Sequence, residues 1–289
     1  MTPLRQKMIN EMALRRFAPK TQEAYVAAVA GLARYYKQSP EKIDKQMIQD
    51  YLLYLMEERK LSWNSCNVAV SGLRFFYTQA LGMDSMFLSI PPRKSQSILP
   101  EIFSVEELEK LFSALSNQKH RAMLMTTYAA GLRVSEVIGL KVTDVDSGRM
   151  MIRVKQGKGR KDRYTILSKR LLEELRIYYR MYRPLIWLFY SGKKTKRSLS
   201  VNTLQRVYNQ AKDRAGIIKG KGIHTLRHCF ATHLLEAGVD LRTIQMLMGH
   251  CCITTTMTYL QVTRKHLGSV KSPLDLLDIA EQRKHINRQ

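Results

Sequence analysis

Four short segments hold residues whose types and spacing could do chemistry. The first is Gly131-Leu132-Arg133-Val134-Ser135-Glu136. An arginine three residues ahead of a glutamate is usually a surface ion pair worth roughly a few tenths of a kcal/mol. Here Met123, Leu124, Tyr128, Leu132, Val137 and Leu140 surround it in sequence, which predicts partial burial. A guanidinium held by a carboxylate is set to grip a phosphate through two parallel hydrogen bonds. The second segment is Gly157-Lys158-Gly159, flanked by Arg153, Lys155, Arg160, Lys161 and Arg163. A turn needs flexible polar residues, yet a lysine at its tip could also enter a nucleic-acid groove or reach a leaving oxygen. The segment alone does not choose between them.

The third segment is His224-Thr225-Leu226-Arg227-His228. His224 and Arg227 lie three apart, so a helix presents both on one face. His224 and His228 have the i, i+4 spacing of a metal pair, with His233 nearby. No carboxylate falls into register as a third ligand, and Arg227 would put a cation beside the metal. His228 reads instead as a packed, hydrogen-bonded histidine. The fourth segment is Gly249-His250, followed nine residues later by Tyr259, with Thr254-Thr255-Thr256 able to cap a short helix between them.

Charge narrows the class of partner. The 289 residues carry 48 Lys and Arg against 24 Asp and Glu, a net of +24. Residues 1–90 hold 12 basic and 8 acidic side chains, leaving 36 and 16 for residues 91–289. So uneven an excess costs self-repulsion and predicts a polyanion, with nucleic acid favoured over a membrane because no Lys-rich amphipathic helix stands out. The apolar run Pro184–Tyr190 is far below the ~18 residues of a membrane span, and Met1–Arg16 has no signal-peptide core. A cytoplasmic location is expected. Cys66, Cys229, Cys251 and Cys252 show no zinc-ligand spacing and read as reduced thiols.

The elements that must position these residues follow from period and punctuation. The first ninety residues read as helices opened at Thr21, Asp44 and Asn64, with Gly82 closing the last. Their aromatic stripes, Tyr25, Tyr35–Tyr36, Tyr51, Phe76 and Tyr77, read as core. Pro91-Pro92-Arg93-Lys94-Ser95-Gln96-Ser97 breaks the pattern, and Ser104 to Glu107 restarts helix with a capping box. Arg149–Val154 and Lys161–Leu167 predict a hairpin around Gly157–Gly159. Helices resume at Ser168, Ser200, Thr225 and Asp240, with glycines 216, 238 and 249 closing the last three.

Taken together, the segments resemble a known family. The run HTLRHCFATHLLEAGVDLRTIQMLMGHCCITTTMTY, His224 to Tyr259, resembles the C-terminal motif of tyrosine recombinases, particularly the Xer type and related integrases. Arg133, in GLRVSEV, falls at that family's first catalytic arginine, and Lys158 at its hairpin lysine. His224 and Arg227 match its His-x-x-Arg pair, His250 its His-or-Trp position, Tyr259 its nucleophile and Glu136 its acidic support. The departures are Cys251-Cys252, where many relatives have small polar residues, and the lack of the added segment of integron integrases.

The resemblance implies a mainly α fold with a small antiparallel sheet, arranged as a two-domain DNA clamp. Residues 1–90 would be a helical core-binding domain, 91–102 a linker, and 103–289 a catalytic domain with a tail from about 270. It implies site-specific recombination of double-stranded DNA through a 3′-phosphotyrosyl intermediate, without metal, ATP or other cofactor. Tyr259 would attack, Arg133 and Arg227 would stabilise the transition state, and His224 would take the tyrosine proton. Lys158 would protonate the leaving 5′-oxygen, and His250 would hydrogen-bond the phosphate. A homotetramer would form on paired specific sites, with Leu274, Leu277 and Ile279 on a helix bridging neighbours, and the protein would be nucleoid-associated. The rival readings are a type IB topoisomerase-like relaxing enzyme and a non-catalytic DNA-binding protein on the same fold.

Overall fold

A computed structural model describes residues 2–84, 99–155, 162–192 and 197–261. The expected linker Pro91–Ser97, the turn with Lys158, and the tail from 270 lie outside the described residues. Contacts divide the chain into two units, Met1–Ser97 and Ile98–Gln289.

The first unit is built from helices α1 (Pro3–Leu14), α2 (Pro19–Tyr36), α3 (Lys45–Glu57) and α4 (Trp63–Phe75), the last running into a π-helical turn at Phe76–Ala80. Helix α1 has no counterpart among the helix starts read from sequence, because its apolar residues show almost no one-sided pattern. Asp44 caps α3 as expected, its carboxylate accepting from Met47 N. The other two starts move upstream. Pro19, a favoured first helical residue, opens α2 before Thr21, and Ser62 rather than Asn64 caps α4 through Ser65 N. Gly82 does adopt a left-handed φ of +75° beyond the π-turn. Leu32, Ile48, Leu52, Leu73, Phe76 and Tyr77 form the core with Met8 and Met12 of α1. Of the aromatic stripes, Tyr51, Phe76 and Tyr77 are buried while Tyr35 is exposed.

The second unit begins with α5 (Val105–Ser113), whose capping box joins Ser104 and Glu107 in both directions. Helix α6 (Gln118–Ala129) and the short α7 (Val134–Ile138) follow. A three-stranded antiparallel sheet comes next, in the order β1 (Val145–Asp146), β2 (Met151–Val154), β3 (Arg163–Ile166). The expected pair of strands is present, in register Arg153 to Tyr164, and β1 is an addition too short to leave a periodic signal. Strand alternation turns Ile152, Val154 and Thr165 inward, and Thr165 Oγ1 donates to Ala130 O at 2.9 Å.

Helices α8 (Lys169–Tyr182), α9 (Val201–Arg214), α10 (His224–Glu236), α11 (Leu241–Met248) and α12 (Ile253–Met257) complete the unit, with a 3₁₀ turn at Thr258–Gln261. Ser168, Ser200 and Asp240 cap three of them as read from sequence. Helix α10 is the central one. Thr225, Leu226, Arg227, Cys229, Phe230, Ala231, Thr232 and Leu235 are all buried, so it has no solvent stripe, and it packs against α6, α11 and the terminal 3₁₀ turn. His233 fastens it: Tyr128 Oη donates to Nδ1 at 2.9 Å and Nε2 donates to Phe103 O at 3.0 Å.

Gly131 marks where α6 gives way to the segment carrying Arg133. Its φ is +59°, and a Cβ there would lie 2.2 Å from Phe230 Cδ1. Gly131→Ala therefore combines left-handed strain with overpacking against a ring, a cost on the order of 2–5 kcal/mol. Thermal unfolding should show a midpoint lower by roughly 5–15 °C; an unchanged midpoint would mean that Phe230 yields freely.

Candidate active site

The site assembles where the segment after α6, the start of α10, and the stretch from the end of α11 to the 3₁₀ turn meet. Its anchor is Glu136. The carboxylate accepts from Arg133 N and Arg133 Nη1, both at 2.8 Å. Arg133 precedes α7 in extended conformation, so Glu136 also serves that helix's N-terminus. Arg163 of β3 grips the same carboxylate with two bonds of 2.7 Å, and Arg227 Nη1 stands 3.7 Å away. Burial alone would raise the pKa of Glu136, but the hydrogen bonds and charge of Arg163, then those of Arg133, hold it at about 2.

Arg163 is the residue that sequence reading missed, seen there only as one of several basic neighbours of Lys158. A signal for it exists. In β3 it shares the inward register with buried Thr165, and an arginine on the inward face of a strand requires a carboxylate. Its Nε also donates to Leu247 O at 2.9 Å, tying the sheet to α11.

Arg227 is fully buried, its Nη1 donating to Gly131 O and its Nη2 to Met248 O. Its Nε finds no partner among the described residues. Burial, then Arg133, lower its pKa, yet a guanidinium stays charged at neutral pH. Arg133 Nη2 donates to Gly249 O at 3.2 Å. Two carbonyls at the α11 terminus, Met248 and Gly249, thus accept from the two arginines of the motif, and Gly249 closes α11 at φ +61°.

Tyr259 is 3% exposed and packs with Phe230, Leu235, Ile244 and Met248. Burial raises its pKa to about 12, against the pull of Arg227 and Arg133. Its hydroxyl lies 3.1 Å from His228 Nδ1. His250 stacks beside the tyrosine ring, with centroids 6.4 Å apart and planes at 13°, and its Nδ1 is 2.9 Å from Thr256 Oγ1. His224, the residue read as proton acceptor, stands edge-on to His228 at 4.7 Å. A cleft of about 550 Å³ opens over this group, lined by His224, His228, His250, Thr255 and Tyr259. Desolvation, followed by neighbouring cations and histidines, depresses all three histidines: His224 downward, His228 and His250 to about 4. Among the described residues no three His, Cys, Asp or Glu side chains gather as a metal group.

Of the seven residues singled out, Arg133, Glu136, His224, Arg227, His250 and Tyr259 come together, while Lys158 lies outside the described residues. None of the four cysteines forms a disulfide, and Cys251 and Cys252 are exposed between His250 and α12. Among the described residues no helix is long and apolar enough to cross a membrane.

A helical unit followed by a helical unit with a small sheet, a carboxylate-anchored arginine cluster and a tyrosine beside it define a class, and comparison with known proteins agrees. The Phage integrase family model matches residues 101–266, and the phage integrase N-terminal SAM-like domain matches residues 4–85. An integrase/recombinase of Sinorhizobium fredii is 42% identical over 278 residues, covering 96% of this chain and 90% of the relative. The tyrosine recombinase XerA of Pyrococcus horikoshii is 33% identical over 234 residues, 80% and 81% of the two chains. The crystal structure of a XerA recombinase superposes with TM-score 0.54 at 28% identity, covering 92% of this chain and 95% of that one. In fold, a lambda integrase dimer bound to a core site gives TM-score 0.70 at 21% identity over 88% and 92% of the chains.

The chain belongs to the phage integrase family. It is a tyrosine recombinase, an enzyme of site-specific DNA strand breakage and rejoining, and its partner is DNA. These relatives do not favour the topoisomerase-like reading.

Because the folded pKa of Glu136 is depressed from 4.5 to about 2, its ionisation adds stability above pH 4.5 that is lost as pH falls toward 2. The shift corresponds to about 3 kcal/mol. Denaturant unfolding of Glu136→Gln should show a deficit of that order at neutral pH, shrinking through the window from 4.5 to 2. A deficit equal at all pH values would show that packing, not charge, makes the difference.

Proposed function

We propose that Tyr259 is the nucleophile of strand exchange and that Arg133, Lys158, His224, Arg227 and His250 are its catalytic partners, with Glu136 in support. The observation that carries this reading is the convergence of Arg133, Arg227, His250 and Tyr259, drawn from segments up to 126 positions apart, beside one cleft. Tyr259 Oη would attack the scissile phosphorus, the P–O5′ bond would break, and a 3′-phosphotyrosyl link would remain with a free 5′-hydroxyl. A partner strand's 5′-hydroxyl would reverse the step on a new strand. The bond energy stays in the protein–DNA link, so no ATP is consumed.

Charge supports the anion this requires. Three guanidiniums meet one carboxylate, leaving excess positive potential where a phosphodiester gains negative charge in the transition state. The Nε of Arg227, which has no partner among the described residues, suits a phosphate oxygen. His224 and His250, as neutral imidazoles on the cleft lining, suit hydrogen bonds to the phosphate. Lys158, from its place in the motif, would protonate the 5′-oxygen.

The proposal extends to organisation. Residues 1–90 would form a core-binding domain and 103–289 the catalytic domain, joined by a linker at 91–102 and closing around the duplex. The chain would assemble as a homotetramer on paired specific sites, through the tail from about 270, and work at the nucleoid in the cytoplasm. A lambda integrase of the same fold is seen as a tetramer bound to a Holliday junction, with TM-score 0.69 at 18% identity over 88% of this chain and 76% of that one.

Tyr259→Phe keeps the ring and its packing but removes the attacking oxygen. Gel analysis of denatured reactions should find no covalent protein–DNA complex, with duplex binding within about twofold of the parent. Covalent complexes at the parental rate would move the nucleophile elsewhere, Tyr164 being the next to test. DNA affinity should also fall steeply with salt, and a fragment lacking residues 1–90 should bind more weakly than the full chain. Equal affinity for fragment and chain would remove the first unit from the DNA contact.

A further inference from the structure

We infer that His228, rather than His224, accepts the proton of Tyr259 as the tyrosine attacks. The inference rests on the reading of Tyr259 as nucleophile. Its basis is geometry: His228 Nδ1 lies 3.1 Å from Tyr259 Oη, within hydrogen-bond reach, whereas the ring of His224 packs in a T-shaped contact with that of His228. Helix periodicity sets this up. His224 occupies the first residue of α10, while His228, one turn on, reaches the 3₁₀ turn that carries Tyr259.

The charges around the pair suit such a transfer. His228 is faced by His224 and Arg227 from α10 and by Tyr259 from the 3₁₀ turn; His250 lies beyond the tyrosine ring, and Glu101 and Lys221 line the same cleft. Burial and these neighbours keep the imidazole neutral, with its pKa at about 4, and keep the phenol protonated, at about 12. At rest the proton therefore stays on oxygen, and Oη–H donates to Nδ1, with the imidazole proton on Nε2.

Attack changes both partners. As Oη bonds to phosphorus, its proton becomes acidic, and the phosphate's negative charge favours an imidazolium nearby. The Oη–H bond breaks, Nδ1 takes the proton, the P–O5′ bond breaks, and a separate cationic donor protonates the 5′-oxygen. In the rejoining step the incoming 5′-hydroxyl gives its proton to that same donor as it bonds to phosphorus, the P–Oη bond breaks, and the imidazolium returns its proton to the departing Oη. His224 is left free to hydrogen-bond the phosphate.

The test starts from a pool of nicked duplexes with a randomised centre, from which full-length parental protein selects its site by covalent attachment. On that duplex, His228→Asn keeps an acceptor near the Nδ1 position but cannot hold the proton. It should bind as the parent does and form covalent complex roughly 10²–10³-fold more slowly. Its rate should climb about tenfold per pH unit from about pH 6 to 9, as free phenolate supplies the nucleophile, while the parent stays nearly flat.

A parental rate and profile for His228→Asn, or a loss of equal size at every pH, would overturn proton acceptance by His228. Tyr259→Phe run alongside separates the two readings, since cleavage by that variant refutes the nucleophile itself. Should His228→Asn fold poorly, ¹⁵N-histidine spectra of the unmodified protein decide the resting geometry. Nδ1 of His228 is expected to be unprotonated, and a proton there overturns the assignment.

Discussion

One carboxylate holds the site together. Glu136 is nearly inaccessible and binds Arg133 from its own turn and Arg163 from the sheet, with Arg227 of α10 alongside. Each of those elements needs the carboxylate for a different reason. Without it α7 would begin with an unsatisfied N–H, β3 would bury a bare cation, and α10 would carry an arginine into a core with only carbonyls to meet it. The neutralisation is also incomplete, as the proposed phosphate site requires. A carboxylate for every arginine would stabilise the fold and leave nothing to attract a phosphodiester.

The backbone completes what side chains leave open. Carbonyls of Gly131, Met248 and Gly249 accept from Arg227 and Arg133, and these carbonyls sit where two elements end in left-handed glycines. Helix ends leave carbonyls without intrahelical partners. Here the end of α11 directs such groups at buried guanidiniums, so the termini that close the helices also orient the arginines. Gly131 and Gly249 are consequently site residues, although neither offers a side chain.

How much of this is legible in the sequence depends on range. Local signals read well: Asp44, Ser104, Ser168, Ser200 and Asp240 cap the helices they foretell, and the hairpin strands fall in place. Starts fail where a nearby residue competes, as Pro19 does with Thr21, and α1 escapes because its burial is supplied by other helices. The motif residues are recognisable because their spacing is local within each segment. What spacing cannot give is the partner across the fold. Arg163 and Glu136 are 27 positions apart, and His228 and Tyr259 are 31 apart. Local periodicity holds no information about such pairs, so the sequence shows His228 as a packed, hydrogen-bonded histidine without showing that its partner is Tyr259.

The same arginine field explains why histidines suit this cleft. A lysine or carboxylate in their place would carry fixed charge, adding repulsion to the cations or cancelling them. Imidazoles depressed by burial and then by neighbouring cations and histidines remain neutral, so each can donate from one nitrogen and accept at the other. That neutrality belongs to the DNA-free state. A phosphodiester bound as proposed would bring negative charge against the arginines and weaken the influence that holds the imidazoles down, while burial keeps Tyr259 protonated. On the proposed assignment, the substrate would then shift the acid–base balance of the site it enters toward proton transfer from Tyr259.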